Sequence, residues 1–135
     1  MDMVVCLTTS LPHMLTDEDV LSCRKSPRAV ARGAWPIEIW RVGQNPEMMY
    51  FAEHDHYDIP ADCLRSPEFK NLWFAGRHIS ASEGAIGSAR VIGTAMATGL
   101  AAGALAAADM TGVTESDRIA EIRSMMDGKT STKAS

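Results

Sequence analysis

The chain has 135 residues, 46% of them hydrophobic and 22% charged, with a net charge of −4. That length and composition fit one globular domain, and the acidic balance argues against a nucleic-acid partner. Three cysteines (Cys6, Cys23, Cys63) are odd in number and far apart, which reads as free thiols in a reducing, cytoplasmic compartment and excludes a disulfide framework or a zinc site.

Residues 1–9 read as a strand, with Val4 and Val5 favouring it. No signal peptide is visible, because Asp2 is acidic and the apolar run from Met3 to Leu7 is short. Thr16, followed by Asp17, Glu18 and Asp19, predicts a capped helix start, and that helix should stop before Pro27. Arg24, Lys25, Arg28 and Arg32 form a basic cluster, read as a solvated face in preference to an anion site. Residues 37–41 and 48–52 predict two antiparallel strands around a turn at 43–46. Trp35 and Trp40 are expected in the core or in inter-domain packing.

Residues 53–58 hold the densest set of titratable groups. In a strand, His54 and His56 would share one face and Asp55 and Tyr57 the other. A metal site would need a third ligand at defined spacing, which the sequence lacks. Residues 59–60 read as an extended connection, with Cys63 and Leu64 packing against it and a turn at 66–68.

Residues 71–108 organise the chain. The apolar run 72–75 predicts a buried strand, and residues 76–88, rich in Gly, Ala and Ser, predict a loop. Residues 89–108 predict a helix. No charge interrupts 91–108, so that helix should be buried all round. Gly93, Gly99 and Gly103 in its interior imply a close neighbour, since each costs about 1 kcal/mol relative to alanine. Arg90 in its first turn would oppose the helix dipole and so implies an anionic partner. A membrane span is disfavoured: most of the run is Ala, Gly or Thr, no aromatic belt flanks it, and Asp109 follows at once. Residues 109–113 predict a linker stopped by Gly112. Thr114 starts a last helix with Ile119, Ile122, Met125 and Met126 on one side, Gly128 ends it, and 129–135 should be disordered.

Several separated motifs resemble one family in their order: GAWPIEIW at 33–40, HYDIPADCL at 56–64, NLWFAGR at 71–77, Ser80, AIGSARV at 85–91, Thr94 and TGLAAGALAA at 98–107. Together they resemble the C-terminal part of FAD-dependent oxidoreductases of the glutathione-reductase-like, two-dinucleotide-binding type, and more narrowly a GidA-related group. The resemblance implies an α/β fold (α+β in isolation). Residues 1–68 would end a β-rich substrate domain, 69–113 would be the C-terminal strand–loop–helix of a Rossmann-like FAD domain, and 114–128 a terminal helix. The family's glycine-rich ADP-binding motif, GxGxxG, is missing from this chain.

By position, the resemblance implies that Gly76 lets backbone approach FAD, and that Arg77 and Ser80 lie beside ribityl and phosphate. Ala85 joins the cofactor-binding set. Gly87 and Ser88 would sit at a helix N-terminus facing the flavin's N1–C2=O edge, and Arg90 would reinforce it or bind pyrophosphate. Arg77 departs from the acidic residue of the wider superfamily, though it is typical of the narrower group. His54, His56 and Tyr57 become acid–base or substrate-orienting candidates. Expected partners are a polypeptide carrying the missing ADP-binding half, or further copies of the chain, together with a small-molecule substrate. A non-catalytic remnant acting as an interaction module is the alternative, with a membrane-helix protein behind it.

Overall fold

The computed structural model describes residues 14–128. The strand predicted at 1–9 and the tail at 129–135 lie outside the described residues. Helix α1 (Asp17–Leu21) starts as predicted: the Asp19 N–H donates to Thr16 Oγ1 at 3.2 Å, and the Thr16 N–H donates to Asp19 Oδ2 at 3.0 Å. It ends well before Pro27.

Strand β1 (Ala29–Gly33) pairs antiparallel with β4 (Tyr57–Pro60), while β2 (Ile37–Ile39) pairs antiparallel with β3 (Glu47–Met49). The β2–β3 hairpin was predicted, with ends shifted by a few residues. The β1–β4 ladder was not. Ala29, Val30 and Ala31 are all buried, because helices α3 (Ile92–Thr111) and α4 (Glu115–Met126) pack on this strand, so no apolar–polar alternation marks it. Trp35 and Trp40 correct the expected core placement: both rings are exposed, and Trp40 Nε1 donates to Glu38 Oε1 at 2.9 Å.

The strand predicted at 72–75 does not form. Trp73 makes a single bridge to Arg65, and Leu72 is exposed. Backbone bonds from Phe74 N–H to the Leu64 carbonyl at 2.7 Å and from Ser66 N–H to the Leu72 carbonyl at 3.0 Å tie the segment to residues 64–66. No further strand among the described residues lies beside it, and apolar content alone does not make a ladder. Both sheets of the described residues are two-stranded and antiparallel, so no Rossmann-type parallel sheet is formed among them.

The loop-then-helix predicted for 76–108 is instead two helices. Helix α2 (Glu83–Ala89) is followed by a break at Arg90 and an extended Val91, and then by α3 (Ile92–Thr111). The latter runs through the predicted linker and stops at Gly112, whose φ of 73° is left-handed. Helix α4 (Glu115–Met126) has the predicted Thr114 cap and buries Ile119 and Ile122. The core gathers Val30, Ile37, Tyr57, Ile59, Leu64 and Leu105 with these two isoleucines. The class is mixed α/β, as expected.

Helix α3 is not buried all round. Thr94, Thr98, Ala101, Ala102, Leu105 and Ala108 are covered, whereas Ile92, Met96 and Leu100 are 79%, 71% and 69% exposed. A Cβ added at Gly93, Gly99 or Gly103 would meet no atom within 4 Å. The close neighbour those glycines imply is therefore not among the described residues. By length and composition α3 is long and apolar enough to cross a membrane, with 33% of its apolar window buried inside the fold.

Candidate cofactor site

Gly76 opens a short 3-10 turn, Gly76–His78, with φ of 59°, a conformation that glycine adopts without steric cost. Its N–H donates to Thr98 Oγ1 at 3.0 Å, and that hydroxyl donates in turn to Thr94 O at 2.9 Å or Ala95 O at 3.0 Å. The turn thus lies against the N-terminal half of α3. Arg77 and His78 are exposed, and their side chains make no ion pair or hydrogen bond among the described residues.

The N-terminus of α3 is open. Its cap residue, Val91, has no side chain that can accept a bond, and the first intrahelical bond runs from Ala95 N–H to Val91 O at 2.9 Å. The N–H groups of Ile92, Gly93 and Thr94 are left at the positive end of a 20-residue helix.

The N-terminus of α2 is closed. Asp17, carried by α1, accepts from Ser82 Oγ and from the Ala85 N–H, the latter at 2.8 Å. Gly84 is needed there, since a Cβ would lie 2.2 Å from Asp17 Oδ2. The chain's own carboxylate therefore takes the place an anion would occupy, and Ala85 is spent on it.

Gly87 and Ser88 do not lie at a helix N-terminus. They lie in the last turn of α2, and both are buried. A Cβ on Gly87 would come 2.6 Å from Glu38 O, so the helix rests directly on β2 backbone. Ser88 Oγ donates to Trp35 O and lies 2.7 Å from Tyr57 Oη. Arg90 is the C-cap residue of α2, where the dipole favours a cation, and its guanidinium bonds Gly87 O at 3.3 Å and Glu38 Oε2 at 3.2 Å. The anionic partner implied for Arg90 is thus Glu38 within the same chain.

Ser80 lies in a bend and links two segments, its N–H donating to Cys63 O at 2.8 Å and its carbonyl accepting from Leu15 N–H at 3.0 Å. Its Oγ is buried with no partner among the described residues. Of the acid–base candidates, Tyr57 is fully buried. Burial pushes its phenol above the ordinary 10.0, and the Ser88 hydrogen bond only partly offsets this. His54 does not share a strand face with His56. It sits in a turn at φ of 64°, exposed, 3.6 Å from Glu53. His56 is partly exposed, with Nε2 4.0 Å from Asp58 Oδ1. The basic cluster is fully engaged by carboxylates: Arg24 with Asp19, Lys25 with Asp55, Arg28 with Asp62 and Glu115, and Arg32 with Asp58 and Asp127.

Sequence reasoning placed Gly76, Arg77 and Ser80 in one loop but overlooked Asp17, Thr98 and the amides of Ile92, Gly93 and Thr94. The signal for Thr98 was its spacing of four from Thr94 within an otherwise apolar helix. No curated protein and no solved structure matches the chain. The family model described as FAD dependent oxidoreductase matches residues 12–126, most of the chain. This protein therefore belongs to the FAD dependent oxidoreductase family.

Proposed function

We propose that this chain is the C-terminal portion or small subunit of an FAD-dependent oxidoreductase and contributes the flavin and ribityl side of the cofactor site. The observation that carries this is the juxtaposition of the left-handed Gly76 turn, whose Arg77 side chain has no partner among the described residues, and the N-terminus of α3, which has no side-chain cap. These groups fit one side of the cofactor. Gly76 offers a backbone approach without a Cβ, Arg77 offers guanidinium donors, and the exposed Ile92 and Gly93 offer N–H groups at a positive helix end. When bound, FAD supplies the electron-transfer chemistry. The adenine side has no counterpart, since the chain lacks GxGxxG.

The assignment differs in detail from the one that the resemblance implies. Ala85, Gly87, Ser88 and Arg90 support the site from behind by fixing α2 to α1 and β2. His54 and His56 are open to a substrate, whereas Tyr57 is closed off. The rest of the site is proposed to come from a companion polypeptide bearing the ADP-binding half, seated along the uncharged outer face of α3. The GidA-related group is the proposed subfamily, on the strength of Arg77 following Gly76.

A second reading is favoured by one observation: Ala85, Gly87, Ser88 and Arg90 are all consumed by contacts within the chain. Under it the chain is an interaction module that no longer binds FAD. The visible absorption of the protein isolated from its native source, with everything that co-purifies, separates the two. Flavin bands together with a larger co-purifying polypeptide are expected, and the purified chain alone should bind FAD poorly. Stoichiometric tight binding by the chain alone would overturn the shared site. A colourless assembly that stays colourless with added FAD would establish the interaction module.

A further inference from the structure

We propose that Thr98 is a positioning residue for this site; the inference rests on the flavin-side reading above. Thr98 is 0% exposed, so it touches no ligand itself. A hydroxyl has one proton and two acceptor positions. Here the proton goes to the helix carbonyls of Thr94 or Ala95, and a lone pair receives the Gly76 N–H at 3.0 Å. One oxygen atom therefore ties the turn carrying Arg77 to the helix whose first turn carries the Ile92 and Gly93 amides. At φ of 59° Gly76 has many alternatives open to it, and among the described residues a Cβ added there would meet Ala95 Cβ at 3.5 Å, an ordinary contact. The hydrogen bond is what holds the turn at one height along α3. Without it the Gly76 N–H lacks its acceptor, and the two donor sets lose their fixed separation.

The test compares Thr98→Val, which keeps shape and removes the hydroxyl, with Thr98→Ser, which keeps the hydroxyl. In the full chain, hydrogen exchange of the Gly76 amide should be slow in the parent and Thr98→Ser and at least about tenfold faster in Thr98→Val. In the flavin-bearing assembly, Thr98→Val should raise the FAD dissociation constant about tenfold or more and shift the visible bands, and Thr98→Ser should restore both. Unchanged Gly76 exchange in Thr98→Val would overturn the proposed tie. Faster exchange with unchanged FAD affinity and spectrum would overturn positioning while leaving the flavin site standing. A parent assembly without flavin would instead overturn the site reading, and this inference with it. If Thr98→Val does not fold, Thr98→Cys, near in size with a weakly accepting sulfur, serves in its place.

Discussion

Helices α2 and α3 are built from the same small residues and put them to opposite uses. In α2 each glycine meets its own chain: Gly84 faces the Asp17 carboxylate, and Gly87 faces Glu38 backbone. Its N-terminus is filled by Asp17 and its C-terminus by Arg90. In α3, Gly93, Gly99 and Gly103 meet nothing within 4 Å, the N-terminus has no side-chain cap, and Ile92, Met96 and Leu100 face outward. A glycine that the fold does not need is a cost of about 1 kcal/mol without return. In α2 the small residues are met by this chain, whereas in α3 the glycines and the outward apolar side chains are left uncovered among the described residues.

The largest expected effect tests the finished side. Gly87→Ala drives a Cβ to 2.6 Å from the Glu38 carbonyl oxygen, and a backbone atom in a paired strand cannot swing away. Overpacking of this kind should lower stability by about 1–3 kcal/mol, read from urea unfolding midpoints. Next comes Asp17→Ala, which leaves the Ala85 N–H and the Ser82 hydroxyl without their carboxylate. Loss of a cap should cost about 0.5–2 kcal/mol and speed exchange of the first α2 amides while leaving α3 unchanged. Equal loosening of both helices would break the comparison.

The unfinished side gives an effect of opposite sign. Gly99→Ala should stabilise the chain by itself by about 1 kcal/mol, because the new methyl meets no atom within 4 Å among the described residues and the unfolded chain loses freedom. The same substitution should weaken association with a companion polypeptide if backbone packs there. Pull-down of the companion beside a melting curve reads both, and destabilisation of the lone chain would show that α3 is not open as described.

How much of this was legible follows from how far each decision reaches along the chain. The caps at Thr16 and Thr114 and the stop at Gly112 were read correctly, because their partners lie within three residues or in the backbone conformation itself. The β2–β3 hairpin was read from its turn. Helix α2 was not, because residues 76–88, rich in Gly, Ala and Ser, were read as a loop. The start of α2 is set by Asp17, 68 positions from Ala85. For the site, Gly76 and Arg77 were singled out by the resemblance of the NLWFAGR motif at 71–77. Gly87, Ser88 and Arg90 were assigned to cofactor because their engagement by Glu38, Tyr57 and Trp35 is long-range.

The smallest effect is electrostatic and bears on the same contrast, because α1 is the element that carries Asp17 to α2. Burial pushes the Asp19 carboxyl upward, but the Arg24 guanidinium at 2.7 Å and the Thr16 N–H and hydroxyl outweigh it and hold the group below its ordinary 3.8. A carboxyl that is more acidic folded than unfolded contributes stability above its unfolded value, and that contribution fades as pH falls through the folded one. Arg24 is 70% exposed, so solvent screens the pair and the contribution stays well under about 1 kcal/mol. On acidification below about pH 4, the α1 amides, and the α2 amides that depend on Asp17, should begin to exchange faster before those of α3. Asp19→Asn should flatten that early limb. If α3 loosened first, its covered face on β1 and α4 would be the weaker seam, and α2 could no longer be taken as the side that the chain completes by itself.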